Sequence, residues 1–378
     1  MAVEMFIIRA DGNGKIGMGH VMRCMSVAYS LQELGQQPVF VTACEESRET
    51  IEKNGFHVHM LPTDYTQMET EIPYIRELLP QLRTEIGEKE LPLKGKNPVT
   101  AKKPDVILLD SYQVTEKYVM KLRELAMLAY IEDLGISMPV DLLINYNIYG
   151  MRFYYRTIPG VELKVLLGTE YMPLRREFAY DLDYELRPEV KNIMLTTGGA
   201  DPCFVSKNFL NAFLRCKEVI ERDIKIHVVS GPYNIYVDQL KRIFGKNEHI
   251  IIHENVSSMK ELMKQCDIVV SAAGSTVYEV CALGVPLICF HYVENQRMID
   301  EMLPYILPVK SAGDYTKAPV YVSRRAASIL QEYIENKELR EQLYEEERKL
   351  VDGKGARRVA DAMIDLSKEY WKDAKIQN

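Results

Sequence analysis

The sequence predicts an α/β protein built of two doubly wound, parallel-sheet domains. Three observations carry this. Short β-rich runs alternate with amphipathic helical patterns along the chain, the signature of parallel strands joined by crossover helices. The alternation restarts after a polar stretch, Arg175–Lys191. Each half opens with a strand, then glycines, then a helix: Gly12, Gly14, Gly17 and Gly19 in the first, Gly198 and Gly199 in the second.

In the first half the predicted strands are Met5–Arg9, Pro38–Thr42, His57–Leu61, Val106–Asp110, Leu128–Glu132, Leu142–Asn145 and Lys164–Leu167. Helical patterns such as Val21–Leu34 and Thr115–Leu125 separate many of them. In the second half they are Asn192–Thr196, Lys225–Ser230, His249–His253, Asp267–Ser271 and Val285–Phe290. The expected domains are therefore residues 1–182 and 183–355, followed by an amphipathic helix in 356–378 that packs back on the first domain. Two such domains face to face would leave a cleft at their strand C-termini, where ligands bind in these sheets. Residues Glu85–Lys103 hold Gly, Pro and five lysines and read as an exposed insertion.

Composition narrows the function. The 378 residues carry 47 Lys and Arg against 54 Asp and Glu, a net charge of −7. That balance argues against a nucleic-acid or membrane-surface partner. No charged-then-apolar leader and no run of membrane-spanning length occurs, so a soluble, cytoplasmic protein is expected. Seven dispersed cysteines without a C-x-x-C read as reduced, packed thiols. His57 and His59 share a strand face without a third ligand, and Asp181-Leu182-Asp183 does not follow a strand. No metal and no cofactor are expected.

The candidate residues cluster in loops after strands. Gly12-x-Gly14-x-x-Gly17 matches the dinucleotide pattern, but the acidic residues Glu45 and Glu46 come late for it, and the loop runs on through Gly19 to His20. The alternative is a tight structural turn with an N-terminal histidine. His20 opens a helix, where the positive helix end favours a neutral imidazole able to accept a proton. Asp110-Ser111-Tyr112 and Glu132-Asp133 follow strands and suit either a site or a turn. Thr197-Gly198-Gly199-Ala200-Asp201 would show backbone N–H groups to a ligand. Ser271-Ala272-Ala273-Gly274-Ser275-Thr276 leads into a helix start suited to a diphosphate, with Glu279 placed to hold a ribose diol. The competing reading is a capping box, Thr276-x-x-Glu279. Asn295 and Gln296 lie at a further helix start, suited to binding or to capping.

Taken in order, these motifs resemble the UDP-sugar hydrolases of pseudaminic acid biosynthesis and the related spore-coat polysaccharide proteins. The match runs from Ile8-Arg9-Ala10-Asp11 and Ile16-Gly17-x-Gly19-His20-x-x-Arg23 through Asp110-Ser111-Tyr112 and Gly168-x-x-Tyr171-x-x-Leu174-Arg175-x-Glu177-Phe178. It continues with Gly198-Gly199-x-Asp201, Ser271–Glu279 and Asn295-Gln296. The lysine-rich insertion is longer than the family pattern needs. The resemblance implies a glycosyltransferase-B-type fold of two Rossmann-like domains. It implies hydrolysis of a UDP-linked diacetamido-trideoxy hexose by water, inverting and without a metal. It makes His20 the base, with Tyr112 and Asn295 at the sugar. Asp11, Gly17, Gly19, Gly199, Val256, Gly274, Ser275, Thr276, Glu279 and Gln296 would bind substrate, with Val256 on the uracil side. The implied partner is the small-molecule substrate alone, for a monomer. A glycosyltransferase of the same fold, a nicotinamide-dependent oxidoreductase and a non-catalytic sugar-nucleotide sensor are the rival readings.

Overall fold

The computed structural model describes residues 5–85, 105–158 and 161–376. The expected insertion lies almost wholly in 86–104, outside the described residues. The chain divides into two compact units, residues 1–173 with 354–378, and residues 174–353.

The first unit is built on β1 (Phe6–Ala10), β2 (Val39–Thr42), β3 (His57–Met60), β4 (Val106–Asp110), β5 (Met127–Ile131), β6 (Leu142–Asn145) and β7 (Lys164–Leu167). They form one sheet in the order β3-β2-β1-β4-β5-β6-β7. Every pairing is parallel, with Ile8 of β1 in register with Phe40 and Leu108. The inner strands are buried along their length, as near-continuous apolar runs must be when helices cover both faces. The helices are α1 (Gly19–Glu33), α2 (Glu45–Lys53), α3 (Ile72–Glu85) and α4 (Glu116–Arg123).

The second unit holds β8 (Asn192–Thr196), β9 (Lys225–Ser230), β10 (Ile250–Glu254), β11 (Ile268–Ala272), β12 (Leu287–His291) and β13 (Lys310–Asp314). Its sheet is also all parallel, in the order β10-β9-β8-β11-β12-β13. Its helices are α5 (Val205–Phe213), α6 (Lys217–Glu221), α7 (Val237–Phe244), α8 (Met259–Gln265), α9 (Thr276–Leu283), α10 (Glu294–Ile306), α11 (Pro319–Glu335) and α12 (Lys337–Glu347). The final helix α13 (Gly355–Ile376) packs on α1 of the first unit. It buries Ala356, Val359, Ala360, Met363 and Ile364, the i, i+3, i+4 spacing of one helix face.

Two features differ from the sequence expectations. Strand β13 was not foreseen, because Lys-Ser-Ala-Gly-Asp lacks β-branched and aromatic residues. It pairs with β12 across a register shift. Residues 174–182 go with the second unit, not the first. Phe178 is fully buried, Glu177 accepts a hydrogen bond from Ser258 at 2.6 Å, and Lys260 donates to the Tyr180 carbonyl at 3.2 Å. A stretch that reads as a polar linker is thus strapped down by its partners.

Candidate active site

Both sheets reverse strand order at the same place, between their first and fourth strands, and a doubly wound sheet opens a crevice there at the strand C-termini. In the first unit His20, at the start of α1, and Asp110, at the end of β4, lie at that point. The His20 ring is buried on the second residue of α1, with Nδ1 2.7 Å from Asp110 Oδ1. A carboxylate only accepts, so this contact selects the tautomer with its proton on Nδ1 and its lone pair on Nε2, while Arg23 Nη2, also 2.9 Å from Nδ1, can only donate and favours the other. Nε2 has no hydrogen-bond partner among the described residues.

Asp110 is fully buried, and burial opposes its charge. The Arg23 guanidinium and His20 outweigh burial and hold the carboxyl down at about 2. Arg23 donates through Nε to Oδ2 and through Nη2 to Oδ1, both at 2.5 Å, and through Nη1 to the Tyr146 hydroxyl at 2.5 Å. Tyr112 stands edge-on to His20, ring centroids 4.7 Å apart, and donates to Asp133 at 3.0 Å. Burial and Asp133 push the Tyr112 hydroxyl up to about 12, so it stays a donor at neutral pH.

The glycine loop of this unit has several of its amides already bonded: Gly12 N–H donates to Ser47 of α2 at 2.6 Å, Lys15 and Ile16 to Asn13 Oδ1 at 2.9 and 3.1 Å, and Gly17 to the Asn13 carbonyl at 2.8 Å. A Cβ on Gly12 would come within 2.8 Å of Met18 Sδ, so Gly12 serves packing. Asp11 faces inward, accepting from Thr42 Oγ1 and Ala43 N at 2.8 Å and pairing with Arg9 at 2.6 Å. These contacts tie the end of β1 to the end of β2. Gly17, at φ +74°, and Gly19 border open space.

In the second unit the loops at the reversal are Thr197–Asp201 and Ala273–Thr276. The first is fixed from two sides. The Tyr292 hydroxyl donates to the Thr197 carbonyl at 2.8 Å, and Tyr233 N–H donates to the Gly199 carbonyl at 3.0 Å. Asp201 caps α5 through Val205 N–H at 2.7 Å. Gly199 is exposed.

At α9 no side chain caps the helix start, so the capping-box reading of Thr276 and Glu279 does not hold. The amides of Ser275 and Thr276 have no partner among the described residues, as expected of an uncapped first turn. Gly274 borders open space. Glu279 is instead gripped by Arg175, with Nε to Oε1 and Nη2 to Oε2 both at 2.6 Å. Asn295 lies exposed in the first turn of α10, and Gln296 accepts from Tyr292 N–H at 3.2 Å. Val256 is half-buried just past β10.

The first unit thus brings together His20, Asp110 and Tyr112, and the second arrays Gly199, Val256, Gly274, Ser275, Thr276, Glu279, Asn295 and Gln296 at one end of its sheet. Arg23, Tyr146, Arg175 and Tyr292 gained no role of their own from the sequence. Arg23 had a signal, being three residues after His20 and so on the same helix face. Among the described residues no group of three or more His, Cys, Asp or Glu could hold a metal ion. Asp183 of the D-x-D pairs with Lys264 at 2.6 Å. No helix among the described residues is long and apolar enough to cross a membrane.

Comparison with known proteins agrees with this architecture. Residues 195–362 match the glycosyltransferase family 28 C-terminal domain. The chain is 24% identical to the spore coat polysaccharide biosynthesis protein SpsG of Bacillus subtilis, over 95% of this chain and 97% of that one. It is 29% identical to an uncharacterized protein of Methanocaldococcus jannaschii over 77% of this chain, but spans only 56% of that protein's length. It is 25% identical, over 51% of its length, to a Helicobacter pylori protein named as pseudaminic acid cytidylyltransferase and UDP-2,4-diacetamido-2,4,6-trideoxy-beta-L-altropyranose hydrolase, and spans 35% of that protein. Among solved structures, Acinetobacter baumannii MurG matches with TM-score 0.60 at 14% identity, over 96% of this chain and 99% of that one. MnaA of S. aureus, solved with UDP, matches with TM-score 0.62 at 13% identity, over 94% of each chain.

Proposed function

From a glycosyltransferase-B fold whose second unit carries a family 28 C-terminal domain, we propose that this chain hydrolyses a UDP-linked diacetamido-trideoxy hexose. The products are UDP and the free sugar, and the reaction serves surface-polysaccharide biosynthesis. The observation that carries the proposal is the His20–Asp110 pair, which leaves the Nε2 lone pair free at the strand ends of the first unit.

In this reading the second unit holds UDP. The Ser275 and Thr276 amides at the start of α9 take the diphosphate, Glu279 takes the ribose and Val256 lies on the uracil side. His20 Nε2 removes a proton from water as its oxygen attacks the anomeric carbon. The bond from that carbon to the diphosphate oxygen breaks, and the α9 helix start stabilises the charge that collects on the leaving group. Asp110 stabilises the imidazolium formed in that step, as a carboxylate does for a histidine base. Attack opposite the leaving group inverts the anomeric centre. Tyr112 and Asn295 are assigned to the sugar.

A His20→Ala variant is expected to bind UDP as the parent does and to lose about 10²–10⁴-fold in turnover, the usual worth of a positioned base. UDP release from a panel of UDP-diacetamido sugars, followed by NMR, measures this. Undiminished release removes His20 as the base.

The match to the glycosyltransferase family 28 C-terminal domain favours a second reading, a transferase that needs an acceptor. UDP release in the absence of any acceptor supports the hydrolase, and release only with an added acceptor supports the transferase. The nicotinamide reading is disfavoured, because the acidic residues Glu45 and Glu46 come late for a dinucleotide fingerprint and the Gly12, Lys15 and Ile16 amides of the loop are already bonded.

A further inference from the structure

One nitrogen of the His20 ring faces two opposite charges. Nδ1 lies 2.7 Å from Asp110 Oδ1 and 2.9 Å from Arg23 Nη2. The same Nη2 is 2.5 Å from Asp110 Oδ1, so a ring nitrogen, a carboxylate oxygen and a guanidinium nitrogen close a triangle. Helical spacing sets Arg23 there, three residues after His20 on α1. The site is costly for a cation. The Arg23 side chain is 12% exposed, and burial opposes its charge, but attraction to Asp110 outweighs burial and keeps it charged.

A base must gain a proton, and the imidazolium carries hydrogen on both nitrogens, whichever one held it before. The ring then meets Arg23 as like charge and Asp110 as opposite charge. A carboxylate beside a buried histidine, left unopposed, draws a proton onto the ring, and a protonated ring is no base. The other groups around this pair are mostly neutral. Tyr112, edge-on to the ring, has its hydroxyl pushed up to about 12. Burial raises the Tyr146 hydroxyl, which accepts from Arg23, and the Cys24 thiol, 3.6 Å from Asp110 Oδ2. Asp133 adds a second carboxylate, 3.6 Å from Arg23 Nη1 and accepting from Tyr112. Two carboxylates against one guanidinium leave a single negative charge in excess, which one proton on His20 cancels. Without Arg23 the excess would be two, and the ring would hold its proton far more tightly.

We propose that Arg23 is a positioning residue whose charge offsets that of Asp110, so that His20 rests unprotonated at neutral pH and is available as a base. This rests on the reading of His20 as the base. Arg23 acts through the ring and not on the substrate. A purely structural Arg23, pinning α1 to the end of β4, would change turnover alike at every pH, and that difference is what the test uses.

The test is an NMR titration of the full chain labelled in its histidine rings, with the His20 signal identified by its loss in His20→Gln. Arg23→Met is expected to raise the midpoint of His20 protonation by about 1–2 pH units, roughly ten- to a hundredfold in the ratio of charged to neutral ring. Arg23→Lys, which keeps a charge without the fork, should fall between. Asp133→Asn removes a negative charge without touching Arg23 and should lower the midpoint. In UDP release measured against pH, the acid limb should move upward in Arg23→Met by the same interval as the ring.

An unmoved midpoint in folded Arg23→Met overturns the inference, and so does turnover lowered by one factor at every pH with the acid limb in place. Asp133→Asn decides the matter where Arg23→Met does not fold: a midpoint unmoved or raised there overturns the inference too. The titration is independent of turnover. Midpoints displaced as expected, in a parent that releases no UDP from any UDP-sugar, overturn the hydrolase and leave the charge balance standing.

Discussion

At the scale of single residues, the proposed chemistry turns on one proton. His20 can serve as a base through Nε2 only if Nδ1 carries the hydrogen, and the Asp110 carboxylate on Nδ1 favours that tautomer. Asp110→Asn offers an amide in place of an acceptor-only group, so the imidazole is no longer held in one tautomer. Turnover is expected to fall by about 10²–10⁴-fold with UDP affinity unchanged, as calorimetry and UDP-release assays on the same preparation would show. Asp110 also marks stability. Its carboxyl is held down at about 2, below the ordinary value of 3.8. A carboxyl held low stabilises the folded form at every pH above its unfolded value. That contribution, about 2 kcal/mol, disappears as pH falls from about 4 to about 2. The parent should therefore lose stability across that window more steeply than Asp110→Asn, as denaturant titrations at stepped pH would record.

At the scale of elements, loops are shaped by what lies behind them. Gly231, just past β9, presses on the Gly198–Gly199 turn. A Cβ there would lie 2.5 Å from the carbonyl oxygens of both glycines. Those atoms are backbone and cannot swing aside as a side-chain tip would. Gly231→Ala is expected to cost about 1–3 kcal/mol and to weaken UDP binding by displacing the turn, read by thermal melts and titration. A result in which UDP affinity is unchanged would detach this turn from the nucleotide site. The glycine loop of the first unit shows the opposite case. Its pattern of spacing looks like a phosphate loop, yet Ser47 and Asn13 have taken the amides of Gly12, Lys15, Ile16 and Gly17. Spacing alone does not report whether an N–H group is already bonded.

At the scale of the whole molecule, the chain crosses between its units twice, and the first unit is finished only by the last helix. Val359, Met363, Ile364 and Leu366 of α13 are buried there. Each fully buried side chain of this kind is worth roughly 1.5–3 kcal/mol, so together they rival the net stability of a domain, about 5–15 kcal/mol. A chain ending at Gly353 is expected to have an unfolded first unit and an intact second one. Limited proteolysis should cleave within residues 5–173 and spare 174–353. Resistance of both would mean that α13 is dispensable.

Hydrophobic period and turn composition are local, and for that reason the two parallel sheets, nearly every strand and the loops where polar residues gather are legible in the chain. Strand β13 escaped because its residues carry no local β preference and only its pairing with β12 makes it a strand. The tertiary structure alone decided which polar group meets which. His20 finds Asp110 at a separation of 90 residues, and Glu279 finds Arg175 at 104. It also decided that residues 174–182 join the second unit, and that Asp11 is spent on Thr42 and Ala43 at the end of β2. The physical reason is common to all of these. A buried polar group is stabilised only by its partner, and that partner is chosen by the packing of distant elements, which no local pattern records.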